Sequence, residues 1–353
     1  QRAFEASRLE RENAELRARV SEESDPSIIG VSTQIKAVRT ALERIAPTAS
    51  RVLISGPNGS GKELAARCIH HQSDRRDSRF IVANCARLGA ERADVELFGS
   101  DGVATSRRIV GLFEQAHKGT LYFDEVCDLP LETQGKIVRA VAEQRFRRVG
   151  GNKEVSVDVR VISASSRDLS AAIAEGRLRE DLYYRLGVVP LSMPPLAERR
   201  EDIPHLARHF VDLVARRTGL GKVKLGDEVL SAMQGYRWPG NVRQMLNTIE
   251  NMLIMAPADR SEPLGLDLLP AEIQNISPAA GNSDIDALLA LPLRNAREAF
   301  EKSYMTAQLQ RFDGNVSQMA GFVGMERSAL HRKLRSLDVT HGGKTPANED
   351  GKT

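Results

Sequence analysis

Gly56-Pro57-Asn58-Gly59-Ser60-Gly61-Lys62-Glu63 sets two glycines and a lysine in the order GxxxxGK, between the apolar run Arg51 to Ser55 and the helical run Leu64 to His71. Small residues let successive backbone N–H groups curl around an anion. The following helix turns its positive end toward that anion, and Lys62 adds a point charge at the β- and γ-phosphates. This is chemistry for a nucleoside triphosphate. Loops of this kind usually place a hydroxyl after the lysine as a magnesium ligand; here Glu63 stands there, so the metal must rely on another acid. Asp124, closing the apolar stretch Gly119-Thr120-Leu121-Tyr122-Phe123, would hold Mg²⁺ through its water shell. Glu125, one residue on and turned the other way from a strand end, is placed to polarise an attacking water as general base.

Such residues need a rigid frame. Arg51 to Ser55, Phe80 to Ala83, Thr120 to Phe123 and Val157 to Ser163 read as strands with helical patterns between most of them. The alternation predicts βαβ units and a parallel sheet. Val188 to Leu191 is a fifth candidate strand, stopped by Pro194-Pro195. From Glu201 to Met255 the pattern is helical throughout, punctuated by Trp238-Pro239-Gly240-Asn241. Residues 276–284 have linker composition, and no apolar residue except Ala347 could anchor the chain beyond Thr340, which predicts disorder there.

Residues 314–337 have helix-turn-helix character. Met319, Ala320 and Val323 face one way, Gly324 supplies the turn, and Leu330, Leu334 and Leu337 form the inner stripe of a second helix. Arg327, His331, Arg332, Lys333 and Arg335 then project outward, with phosphate neutralisation giving affinity for DNA. Arg327, Ser328 and His331, near the helix start, are placed to reach base edges in the major groove. The helix before them, Leu293 to Arg311, offers Ala296, Phe300, Tyr304 and Ala307 as a dimer face, which predicts a palindromic site in double-stranded promoter DNA.

At 353 residues the prior is two to three domains. With 41% hydrophobic and 27% charged residues, a wholly disordered chain is excluded. Apolar runs fall far short of the roughly 20 residues that span a bilayer, so no membrane partner is expected. Cys68, Cys85 and Cys127 match no metal-pair spacing and leave an odd thiol if two were bridged, which points to a reducing, cytoplasmic setting. Residues 2–20 mix Arg and Glu around Ala6, Leu9, Leu16 and Val20, with Asn13 at the remaining seam position; a short coiled coil and a solvated connector helix both fit. The chain opens at Gln1 without an initiator Met, so a further amino-terminal part is expected.

Together these motifs resemble AAA+ ATPases of the bacterial enhancer-binding type, over residues 27–255 and again at 292–338. The resemblance implies an α/β AAA+ parallel sheet with a helical lid, plus an all-α Fis-type helix-turn-helix domain. It implies ATP and Mg²⁺ as cofactors. In Val82-Ala83-Asn84-Cys85 it makes Asn84 the switch that communicates with Glu125, and it makes Val159 to Leu169 the sensor I strand, with Ser165-Ser166 where the family carries Thr-Asn. In Arg179-Glu180-Asp181-Leu182-Tyr183-Tyr184-Arg185-Leu186 it makes Arg179 and Arg185 fingers that act on a neighbour's nucleotide, so turnover needs a ring. Arg243, in Trp238 to Arg243, would reach the phosphates from the lid, and Ile29 and Gly30 would flank the adenine. The implied division is a connector at 1–26 from a receiver domain, an α/β subdomain at 27–192, a lid at 193–262, a linker at 263–291, a Fis-type domain at 292–339 and a tail at 340–353.

One segment departs from the family. Between Gly99 and Gly111 the chain reads Ser100 to Val110, shorter than the family's GAFTGA loop and without its Phe or paired glycines. The resemblance therefore does not carry the sigma-54 contact across. This loss, the Leu291-Pro292-Leu293-Arg294 entry and the Gly324 to Leu337 helix are similar to the nitrogen-related response regulators of two-component systems. That implies a receiver phosphorylated by a cognate histidine kinase and a nitrogen- or redox-related regulon. Two outputs stay open: a DNA-binding transcription regulator in which ATP is weakly hydrolysed or only bound, and a ring ATPase that remodels a protein client and uses the tail as a tether.

Overall fold

The computed structural model describes residues 26–89, 91–102, 108–219, 221, 223–256, 263–274, 293–312 and 316–337. The amino-terminal heptads, residues 275–292, the carboxy-terminal tail and residues 103–107 of the Ser100 to Val110 segment lie outside them. The chain forms two compact units, one ending at Ile273 and one beginning at Gln274.

In the first unit, Ser32 caps helix α1 (Thr33–Ile45) by accepting from the Ile35 N–H. There follow β1 (Val52–Ser55), α2 (Lys62–His71), β2 (Phe80–Asn84), α3 (Ala93–Phe98), α4 (Leu112–Gln115), β3 (Thr120–Asp124) and α5 (Leu131–Glu143). A hairpin of β4 (Arg145–Arg147) and β5 (Glu154–Ser156) precedes β6 (Arg160–Ser165), α6 (Leu169–Ala174), α7 (Glu180–Leu186) and β7 (Val189–Ser192). The main sheet is parallel throughout, in the order β2-β3-β6-β1-β7. Alternate residues feed two cores. Leu53, Leu121, Phe123 and Val161 join Phe98 and Phe113, whereas Ile54, Tyr122, Ile162 and Ala164 join Ile35, Leu42 and Ile69. A sheet buried on both faces needs such near-continuous apolar strands.

The register aligns Asn84 with Asp124 and Ser55 with both Ser165 and Ser192. Gly56, Asn84, Asp124-Glu125 and Ser165-Ser166 therefore gather at one carboxyl edge, where open α/β sheets bind ligands. Two details differ from the sequence reading. Strand β6 begins at Arg160 rather than Val157, because Val157 bonds back to the Gln144 carbonyl and Val159 to the Gln144 side chain. The β4–β5 hairpin was not anticipated; its three-residue strands are too short to show alternation, yet Phe146 and Val155 pack on the core.

The lid comprises α8 (Ile203–Thr218), α9 (Asp227–Gly235) and α10 (Asn241–Met255), packed around Phe210, Met233, Trp238, Ile249 and Met252. Leu264 bridges to Leu225, and Leu269 together with Ile273 of the short α11 (Ala271–Gln274) joins the same core. Lid packing thus runs on to Ile273, into the stretch that the sequence assigned to a linker from 263; these apolar residues carry no helical period that would have marked them.

The second unit contains α12 (Leu293–Arg311), α13 (Val316–Val323) and α14 (Arg327–Ser336). Met305, Leu309, Met319, Ala320, Leu330, Leu334 and Leu337 form its core. Gly324 adopts φ +69°, which ends α13 and turns the chain into α14.

Candidate functional site

Five successive carbonyls of the phosphate loop are each held by a donor. Lys62 Nζ reaches those of Gly56 (2.9 Å) and Pro57 (3.4 Å). Asn241 Nδ2 donates to Asn58 O at 2.9 Å, Val242 N to Gly59 O at 3.0 Å, and Arg199 Nη2 to Ser60 O at 2.8 Å. The last three donors belong to the lid side of the unit. With the carbonyls engaged, the N–H groups of Gly59, Gly61, Lys62 and Glu63 make no hydrogen bond among the described residues and are available to an anion. Glycine is required here: a Cβ on Gly56 would lie 2.5 Å from Met193 O, and one on Gly59 (φ +74°) 2.2 Å from Gly240 O. Ser60 Oγ is buried beside this cradle without a hydrogen-bond partner among the described residues.

The acids sit at the end of β3. Tyr122 donates its hydroxyl to Asp124 Oδ1 at 3.0 Å. Burial raises the Asp124 carboxyl above the usual carboxylate range, and the charges of Glu125 and Glu63 push the same way against the Tyr122 bond and Lys62. Glu125 adopts φ +57°, uncommon for a residue with a side chain. Its Oε1 lies 3.1 Å from Lys62 Nζ, and its Oε2 accepts from both the N–H and the Oγ of Ser166 at 2.8 Å each. Asn84, the expected partner of Glu125, is exposed and makes no hydrogen bond with it. Glu63 pairs with Arg67 at 2.7 Å on the helix surface.

Arg179 caps α7 and forks onto Asp181, with Nε 3.0 Å and Nη2 2.8 Å from its two oxygens. Arg185 makes no hydrogen bond or ion pair among the described residues; it faces Arg51, whose guanidinium is brought below its usual pKa by burial and then by the Arg185 charge. Arg243 is exposed in the first turn of α10, its Cβ 3.1 Å from where a Cβ on Gly59 would stand. Ile29 and Gly30 border a cavity of about 420 Å³ shared with Ile28, Cys68 and His205. Arg39 Nη2 donates to the Gly30 carbonyl at 2.9 Å. The fully buried Asp202 accepts from the N–H groups of Val31 (2.5 Å) and Ser32 (2.7 Å) and from Ser32 Oγ (2.7 Å).

Sequence reasoning missed Arg199 and Asp202, which lie in the charged run Glu198-Arg199-Arg200-Glu201-Asp202. It quoted Asn241 only as punctuation. The usable signal was Trp238-Pro239-Gly240-Asn241 itself, since Asn tolerates the φ +51° found there.

In the second unit, Arg327, Ser328, His331 and Arg332 are exposed along α14. Lys333 departs from the expected outward set: its Nζ lies 2.5 Å from Glu301 Oε2 of α12. The cause is its place in the helix, on the flank turned toward α12 and half-buried there. The Arg335 side chain lies outside the described residues.

A parallel phosphate-loop sheet with a helical lid, and in the same chain a helix-turn-helix unit, define an AAA+ transcription regulator. Residues 28–192 match the Sigma-54 interaction domain, 197–286 the AAA+ ATPase lid domain, and 296–337 the bacterial regulatory proteins of the Fis family. The chain belongs to the NtrX family of response regulators. It is 47% identical over 340 residues to the nitrogen assimilation regulatory protein NtrX of Azorhizobium caulinodans, covering 96% of this chain and 74% of that protein. It is 37% identical to the response regulator protein PilR of Pseudomonas aeruginosa, covering 89% of this chain and 70% of that protein. Among solved structures, NtrX from Brucella abortus in complex with ADP matches with a TM-score of 0.71 and 47% identity, covering 96% of this chain and 75% of that one. No helix among the described residues is long and apolar enough to cross a membrane.

Proposed function

We propose that this chain binds Mg-ATP on the Gly56–Lys62 loop and uses the nucleotide to govern assembly of a dimeric, sequence-selective transcription regulator in a nitrogen- or redox-related two-component system. The observation that carries the reading is the loop whose carbonyls are held while its N–H groups stay available. That arrangement fits a polyphosphate, and a related NtrX has been crystallised with ATP. Lys62 meets the β- and γ-phosphates, Arg243 approaches from the lid, and Ile29 and Gly30 flank the base. Mg²⁺ bound with the nucleotide would neutralise phosphate charge, and Asp124 would hold its water shell. Glu125 is the base that takes a proton from the attacking water, Asn84 its switch, and Arg179 and Arg185 the groups offered to a neighbouring subunit's nucleotide.

Arg327, Ser328 and His331 read base edges while Arg332 and Arg335 serve the phosphates, Lys333 being tethered to Glu301. The segment Ser100 to Val110 lacks the Phe and paired glycines of the GAFTGA loop, so the reading routes the output through DNA occupancy and carries no sigma-54 contact. The response-regulator relatives support control by a cognate histidine kinase.

The test pairs calorimetry of Mg-ATP binding, wild type against Lys62→Ala, with DNA footprinting. Heat in wild type alone and protection of discrete sites support the reading. Equal heats in the two proteins sink the nucleotide assignment. Ring-dependent turnover without selective DNA protection favours the client-remodelling ATPase instead.

A further inference from the structure

Both carboxylate oxygens of Glu125 are already in use. Oε1 faces Lys62 Nζ at 3.1 Å, and Oε2 accepts two bonds of 2.8 Å from Ser166, one from the backbone N–H and one from Oγ. A general base needs a free lone pair aimed at its water. Lys62 is claimed by phosphates once nucleotide binds, which frees Oε1. Phosphate binding does not itself displace the Ser166 pair, which comes from the residue immediately after β6, the strand paired directly with β3. Asn84 stands on β2, across β3 from Ser166, and is not bonded to Glu125. Glu125 also holds φ +57°, a conformation that persists only where surrounding contacts impose it.

We infer that Ser166 is a positioning residue that fixes the resting place of Glu125, drawing the base toward β6 so that turnover waits on its release. The inference rests on the nucleotide reading above and names a contact that restrains hydrolysis. During turnover the water oxygen bonds to the γ-phosphorus, its proton passes to Glu125, and ADP departs with the bridging oxygen. Ser166 takes no part in that exchange and acts only on where the carboxylate sits.

The test uses the whole chain as wild type, Ser166→Ala and Ser166→Thr, with three readouts. Steady-state hydrolysis should show kcat of Ser166→Ala raised about fivefold, with KM within about twofold, since one of two charge-assisted bonds is gone. Ser166→Thr keeps both donors and should restore wild-type turnover. In nucleotide-free protein, amide exchange at Ser166 should be slow, and in Glu125→Ala it should quicken about tenfold as the acceptor disappears. A lowered or unchanged kcat in Ser166→Ala with normal uptake of a fluorescent ATP analogue overturns this inference alone, as does equal exchange in Glu125→Ala. Failure of wild type and variant alike to take up nucleotide overturns the parent reading and this one with it.

Discussion

Asn241 and Asn58 lie 183 residues apart in sequence, yet the Asn241 side chain donates to the Asn58 carbonyl at 2.9 Å. The same amide accepts from the Leu196 N–H at 2.7 Å. One buried side chain thus ties the phosphate loop to the entry and the last helix of the lid. The shape of the cradle and the seating of the lid become a single variable, so whatever shifts the lid also reshapes the anion site.

Replacing Asn241 with Ala should expose that coupling. It leaves the Asn58 carbonyl and the Leu196 N–H without partners, at about 1–3 kcal/mol, and strains a backbone at φ +51° that Ala adopts poorly. Urea unfolding should show the loss of stability, and calorimetry should show Mg-ATP affinity weakened about tenfold. Unchanged affinity in a stably folded variant would mean that the lid does not shape the cradle.

A second clamp sits away from the nucleotide. Arg148 grips Glu114 through Nε (2.7 Å) and Nη2 (2.8 Å) and reaches Asp101 at 3.1 Å, with Arg148 only 8% exposed and Glu114 13%. Beside it, Ser100 bridges to both Ile109 and Val149. Removing one partner of a buried ion pair typically costs about 3–5 kcal/mol. Arg148→Ala should lose stability on that scale and become sensitive to limited proteolysis between Ser100 and Val110. Proteolysis at the wild-type rate would show that the network does not hold the base of that segment.

The fold was legible where chemistry is local. The GxxxxGK order, the Asp124-Glu125 strand end and the Gly324 turn each announce themselves within a few residues. What stayed hidden depends on long-range pairing. Arg199 and Asp202 lie in a charged run and are buried only once the lid folds over them, and Lys333 looks like a DNA contact until α12 brings Glu301 beside it. Ser166 was noticed for the amide it lacks, whereas its bonds to Glu125 exist only because β3 and β6 are neighbours.

Asp124 gives a pH signature. Burial first, then repulsion from Glu125 and Glu63, raises its folded pKa above the unfolded value. The folded state therefore binds this proton more tightly, and its contribution to stability is complete below the unfolded pKa and lost as pH rises through the folded one. At neutral pH the ionised carboxylate is a cost. Nucleotide-free Asp124→Asn should melt higher than wild type at pH 7, with the gap closing as the pH is lowered through the carboxylate range. With Mg-ATP present the variant should gain less than wild type. A gap that widens on acidification would contradict the assigned cause.

On α14, the exposed and the tethered cations should behave differently. Arg332 is free of partners among the described residues, so Arg332→Ala should weaken binding to all duplexes alike and reduce the slope of log K against log salt by about one. Arg327→Ala, near the helix start, should cost about 1–3 kcal/mol on the preferred site and relax discrimination between bases. Lys333 is paired to Glu301 at 2.5 Å, so Lys333→Ala should lower the thermal stability of the helix-turn-helix and leave the salt slope nearly intact. Fluorescence anisotropy across a salt series, with one specific and one scrambled duplex, separates the three. If Lys333→Ala flattens the slope as much as Arg332→Ala does, Lys333 leaves Glu301 for the phosphates on binding, and the ion pair belongs to the free protein alone.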